Sequence, residues 1–134
     1  MRNFLCPKCD GHLRIGDFLV FKIMNSDKKK ALIFLSPQIG NYSSIKHPEY
    51  KVDKGELLEF YCPLCNNSLK SDVHQDLVQI TMMDGNRNFF DVYFSRINGE
   101  HCAYETKDEL IRIEGEDAGK YTFFKIGQKY KKYF

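Results

Sequence analysis

Four of the five cysteines in this 134-residue chain fall into two C-x2-C pairs, Cys6 with Cys9 and Cys62 with Cys65. The gap between the pairs, residues 10 to 61, is 52 residues long. Thiolates at that spacing can occupy two corners of a tetrahedron, and zinc takes four such ligands at about 2.3 Å each. With sulfur at all four corners no position is left for a reacting water, so the pattern predicts one closed, structural zinc site. Iron suits the same thiolates. Pro7 and Pro63 fix φ just after the first ligand of each pair, and Asp10-Gly11 and Asn66-Asn67 supply residues that turn sharply beyond the second.

The two pairs sit in a doubled phrase, "FLCPKCDGHL" and "FYCPLCNNSL". Across "CPKCDGHL" and "CPLCNNSL", about sixteen residues, the chain resembles the zinc-ribbon proteins, whose rubredoxin-like knuckles are written C-P-x-C-G followed by a short strand. The Gly that follows the second Cys in that pattern is replaced by Asp10 and Asn66, and the gap of 52 residues exceeds the usual ribbon loop. The resemblance implies a metal site and a local β fold. It implies no activity, because ribbons serve in transcription factors, ribosomal proteins, enzymes and adaptors alike.

Other residues could do chemistry. A thiol redox protein would also use C-x2-C, but it places the motif at the start of a helix in a βαβ unit, and no such unit is written here. Cys102, the unpaired cysteine, is next to His101. Within a strand neighbours point to opposite faces, so the two would not act as nucleophile and base, and Cys102 reads as a small buried residue. His12, His47, His74 and His101 show no ligand spacing, and His12 alone is near a pair. Asp91, Glu100, Glu105 and the run Glu114 to Asp117 read as solvated surface carboxylates.

The elements that would position the cysteines are short strands. "DFLVFKIM" and "KALIFLS", separated by "NSDKK", predict a hairpin with Leu19, Phe21 and Ile23 on one face and Phe18, Val20 and Met24 on the other. A strand apolar on both faces is expected to be covered on both, by other elements or by a partner chain. Residues 37–55, rich in Pro, Gly, Asn and Ser, predict a long loop. "ELLEFYCPLC" leads into the second pair as a short strand. A β-meander follows: "DLVQITMM", "FFDVYFSR", "HCAYET", "ELIRIEG" and "YTFFKI", with Val78, Ile80 and Met82 inward and Asp84-Gly85 and Asn98-Gly99 as turn dipeptides. "EGEDAGKY" and "SLKSDVHQDL" could each form one helical turn. No repeat is legible beyond the doubled phrase.

The expected fold is thus mainly β, a zinc ribbon whose two knuckles flank a hairpin, followed by an antiparallel meander. It would form a single domain over 1–134, with residues 1–70 as the ribbon part and 71–134 as the meander and a basic tail. Apolar residues at 43% and charged residues at 28% are a globular balance. No run approaches the roughly 18 apolar residues of a membrane helix, and the start "MRNFLCPKCDGHL" lacks a signal-peptide pattern, so a cytoplasmic location is expected. There thiols stay reduced and paired cysteines favour metal over disulfides.

A net charge of +2 is too small to argue for nucleic acid. Its distribution is uneven: the last fifteen residues carry five lysines and no acid, whereas residues 66–119 carry eleven acids against five basic residues. The tail "KIGQKYKKYF" interleaves lysine with aromatic rings, a mixture that can meet phosphates and bases. The apolar hairpin and the aromatic residues favour a protein partner or a homodimer over RNA or DNA. The reading is a small non-enzymatic module that holds zinc through Cys6, Cys9, Cys62 and Cys65 and binds another macromolecule. Its competitors are a thiol redox protein or an enzyme with a site near His101 and residues 38–54, and a nucleic-acid-binding ribbon.

Overall fold

The computed structural model describes residues 2–38, 40–107 and 109–118. Ten strands run β1 Asn3–Leu5, β2 Arg14–Ile15, β3 Phe18–Met24, β4 Lys30–Leu35, β5 Ser44–Lys46, β6 Glu59–Tyr61, β7 Leu77–Met83, β8 Phe89–Ser95, β9 Ala103–Lys107 and β10 Glu109–Glu114. Their pairings are all antiparallel, and no α-helix occurs among the described residues. The fold is mainly β, as the alternating apolar residues predict.

Two five-stranded sheets form. The first has the order β2-β3-β4-β5, with β6 also paired to β3, and the second has the order β1-β7-β8-β9-β10. Period-two alternation gives each sheet an apolar inner face. Leu19, Phe21, Ile23 and Ile33 of the first sheet share one buried cluster with Val78, Ile80, Met82 and Val92 of the second. Phe21, Phe60 and Phe94 meet within it at centroid distances of 5.5 to 5.7 Å. Each fully buried side chain of this size contributes about 1.5–3 kcal/mol by leaving water, so this cluster dominates the stability.

The sheets interlock. β1 enters the first cysteine pair but pairs with β7, the strand that follows the second pair. β6 enters the second pair but pairs with β3, the first long strand after the first pair. The exchange is in register: Lys22, Ile23 and Met24 lie opposite Tyr61, Phe60 and Glu59, while Thr81, Met82 and Met83 lie opposite Leu5, Phe4 and Asn3.

This register shows a repeat far longer than the doubled phrase. From β3 onward each residue has its counterpart 59 positions later: Leu19 pairs with Leu35 as Val78 pairs with Phe94, and Phe34 pairs with Ile45 as Tyr93 pairs with Tyr104. The turns repeat too. Asn25 Oδ1 accepts the N–H groups of Asp27 and Lys29, and Asp84 Oδ1 accepts those of Asn86 and Asn88. Lys28 and Arg87 both take φ of 62°. Ser36 Oγ accepts the N–H of Gln38 as Ser95 Oγ accepts that of Ile97, and Gly40 and Gly99 both have positive φ. The described chain is therefore two copies of one unit, a knuckle followed by three strands, with β10 added to the second.

Several expectations shift. The expected loop over 37–55 contains β5, held by Ile45 opposite Phe34. Positive φ in the β7–β8 turn falls at Arg87, not at Asp84-Gly85, because Asp84 spends its carboxylate bridging the turn. β9 starts at Ala103, so His101 and Cys102 precede the strand rather than belong to it. "SLKSDVHQDL" forms bends and turns instead of a helical turn. "YTFFKI", the end of "EGEDAGKY" and the basic tail lie outside the described residues.

Candidate metal centre

Each knuckle closes on its own backbone. In the first, Cys6 N–H donates to Gly11 O at 2.9 Å and Asp10 N–H to Cys6 O at 2.9 Å; in the second, Cys62 N–H donates to Asn67 O at 3.1 Å and Asn66 N–H to Cys62 O at 2.9 Å. That reversal needs a left-handed residue, and Asp10 and Asn66 supply it with φ of 60° and 62°. Asp and Asn tolerate this conformation better than other non-glycine residues, so they do the work of the glycine of the ribbon pattern. Gly11 lies against Leu64 of the opposite knuckle, whose exposed side chain would have to shift to admit a Cβ there.

The interlocked strands bring the two knuckles face to face. Their four Sγ atoms lie within 4.8 Å of one another, with Cys6 to Cys65 and Cys9 to Cys62 both at 3.8 Å. Tetrahedral thiolates about 2.3 Å from a common centre stand about 3.8 Å apart, so this separation fits one ion. Among the described residues this is the one group of three or more His, Cys, Asp and Glu side chains close enough to share a metal.

Each sulfur also receives an N–H donor. Lys8, Gly11 and Leu64 donate from the backbone to Cys6, Cys9 and Cys62 at 3.3 to 3.4 Å, and Asn67 donates from its side chain to Cys65 at 3.3 Å. Such donors stabilise negative sulfur and hold its orientation. Without a cation, Cys6, Cys62 and Cys65 differ from one another. Burial pushes Cys6 up to about 12 and raises Cys62, while hydrogen bonds from Asn67 bring half-buried Cys65 down to about 7. A divalent ion would supply the positive charge that lets all four ionise together.

The remaining candidates are dispersed. Cys102 is buried, and burial pushes its thiol up to about 12, which leaves it protonated and poorly nucleophilic at neutral pH. His101 stacks on Tyr42 at 4.5 Å and pairs with Glu116 at 3.2 Å, so the structure does bring His101 to the 38–54 segment. A cavity of about 250 Å³ lies beside them, walled by Leu35 and Phe94 and rimmed by Ser36 and Ser95. His12 and His47 are exposed, and His47 and His74 accept backbone N–H groups of Glu49 and Asp76. Asp117 accepts the N–H of His101, Glu100 accepts Ser95 Oγ–H, and Glu105 is buried, so these are structural rather than freely solvated.

One central residue carries no sequence signal. Arg96 is buried and donates to Leu58 O, to Gln75 O and to Glu59 Oε1 at 2.6 Å, tying the end of β8 to the lead-in of the second knuckle. A lone arginine in "YFSRING" gives no hint of that. No family model, curated protein or solved structure matches this chain.

Proposed function

We propose that the chain is a non-enzymatic, zinc-binding module of the cytoplasm that binds another macromolecule, a protein in preference to nucleic acid. One zinc sits among Cys6, Cys9, Cys62 and Cys65 and fastens the two units without taking part in a reaction. The supporting observation is the closed set of four sulfurs within 4.8 Å of one another, each with its own N–H donor and none left over for a substrate. Binding is the remaining role because large apolar side chains stand in solvent, among them Leu32, Ile45 and Ile15.

Elemental analysis of untagged protein with a thiol count tests this. One zinc per chain, with all four paired cysteines protected from alkylation until denaturation, is the expected result. The competing reading, thiol exchange at a C-x2-C pair, draws on half-buried Cys65 and its lowered thiol. It requires substoichiometric metal and rapid alkylation of Cys65 in native buffer, and that outcome would replace the zinc reading.

A further inference from the structure

The repeat gives each position of the first sheet a counterpart in the second, and on the outer faces the counterparts differ sharply in exposure. Leu77, Tyr93 and Tyr104 are buried at 0%, 0% and 1%. Their equivalents Phe18, Phe34 and Ile45 are 36% exposed, half-buried and 54% exposed. Leu32, on the same outer face, is 51% exposed. Val20 of this face is buried, so the outer face of the first hairpin is covered in part by the described residues of its own chain, and Phe18 and Leu32 are left for a partner chain to cover.

Two additions cover the second sheet, and among the described residues the first sheet lacks both. Six residues, 71–76, stand between Lys70 and β7 where only three, 15–17, stand between Arg14 and β3, and the longer connection lays Val73 against the buried cluster. β10 pairs along the free edge of β9, and the chain beyond it places Ala118 on the same cluster, where Ala118 O accepts the hydroxyl of Tyr104. β5, the counterpart of β9, has no strand on its outer edge among the described residues. β5 and the chain after it line an open trough, formed by residues 44–48 and 50–52.

The register says what would fit. Beside β9, Ile113 lies opposite Tyr104 and Arg112 opposite Glu105. The corresponding residues of β5 are Ile45 and Lys46, so the apolar position is kept and the charge is reversed. The surroundings agree: residues 17–51 carry six lysines against three carboxylates. Lys46 on a three-residue edge also discourages pairing with an identical strand, since two copies would bring like charges together.

We propose that the β5 edge and the outer face of the first sheet bind an extended, acidic segment of another protein by strand addition. The segment places an apolar residue opposite Ile45 and a carboxylate opposite Lys46. Backbone hydrogen bonds supply attachment, and the alternate side chains supply selectivity. The proposal rests on the binding-module reading above and assigns its surface and partner chemistry.

The test uses the zinc-loaded full chain, ¹⁵N-labelled, and three acetylated peptides. One has the sequence of residues 109–118 with Arg112→Glu, one is its Arg112 parent, and one is a scramble of the first. The Glu peptide should bind at least tenfold tighter than the parent, with amide shifts centred on residues 44–46. Lys46→Glu should invert the preference between the two, Lys46→Gln should abolish it, and Ile45→Asp should weaken both by tenfold or more. Ile45 is exposed and Lys46 is on an edge, and melting curves with zinc content confirm that each variant is folded.

Equal binding of the scramble, shifts centred elsewhere, or no binding would overturn the proposal. A concentration-dependent mass abolished by Ile45→Asp would instead assign the face to a second copy. Displacement of the peptide by poly(U), fading with salt, would assign it to nucleic acid. The two readings fail separately: loaded zinc without peptide binding at β5 sinks the strand-addition proposal alone, whereas a folded chain without zinc sinks the metal reading whatever the peptide does.

Discussion

Asn25 and Asp84 occupy equivalent turns and make the same pair of bonds with different chemistry. Each side-chain oxygen receives two backbone N–H groups that would otherwise lack a partner, which suits a residue able to bridge its own turn. Asn25 is buried, so Asn25→Ala should cost about 1–2 kcal/mol, measured by urea unfolding at neutral pH. Asp84 differs in being titratable. The N–H groups of Asn88 and Asn86 hold its carboxyl below the ordinary carboxylate value, and those of Ser26 and Asp53 do the same for Glu56. A depressed carboxyl contributes stability above its unfolded pKa and loses it as pH falls through the folded one. Melting temperature should therefore fall between about pH 5 and pH 3, around the ordinary carboxylate range, and by less in Asp84→Asn than in the natural chain. An equal fall in the two would show that this carboxylate does not carry the acid sensitivity.

At the level of elements, Gly115 and Arg96 decide whether the second unit keeps its additions. Gly115 has φ of 105°, and a Cβ there would strike His101 O and the Tyr42 hydroxyl, so only glycine lets the chain turn from β10 onto the outer face. Gly115→Ala should cost about 1–3 kcal/mol and raise amide exchange at Tyr104 while leaving β3 and β4 protected. Uniform exchange across both sheets would show that the segment is not a separate cover. Arg96→Met strands Leu58 O, Gln75 O and Glu59. Because Glu59 keeps 38% exposure and can rehydrate, the loss should be about 3 kcal/mol, the low end for a broken buried pair, read by denaturant unfolding. These elements also mark how far the sequence could be read. β3, β4, β7 and β8 are legible because alternation over seven or so residues fixes a strand and its faces, and the knuckles because cysteine spacing fixes a metal corner. β5 is hidden, since "SIK" holds one apolar residue and owes its strand to Phe34. The repeat is hidden for two reasons. Its counterparts share shape but not type, as with Lys22 and Thr81 or Leu32 and Asp91, and its offset changes from 56 at the knuckles to 59 beyond the longer connection.

For the whole molecule, the exchange of β1 and β6 means that neither unit can complete its own sheet. The unit ending before β6 leaves the edge of β3 at Lys22 to Met24 open, and the unit beginning at β6 leaves the edge of β7 at Thr81 to Met83 open. Each also exposes its half of the shared cluster and holds two cysteines where the ion takes four. Folding, pairing and metal binding should then be one event, because an ion that binds only the assembled state stabilises it by mass action. Chains 1–56 and 57–134, made separately, should lack cooperative unfolding, and mixing them with one equivalent of zinc should restore a single transition and one zinc per pair. Chelation of the intact protein should lower that transition and loosen both sheets together. Independent folding of either piece, or a chelated protein that loses order only at the knuckles, would make the two units autonomous domains and the cysteine cluster a local staple.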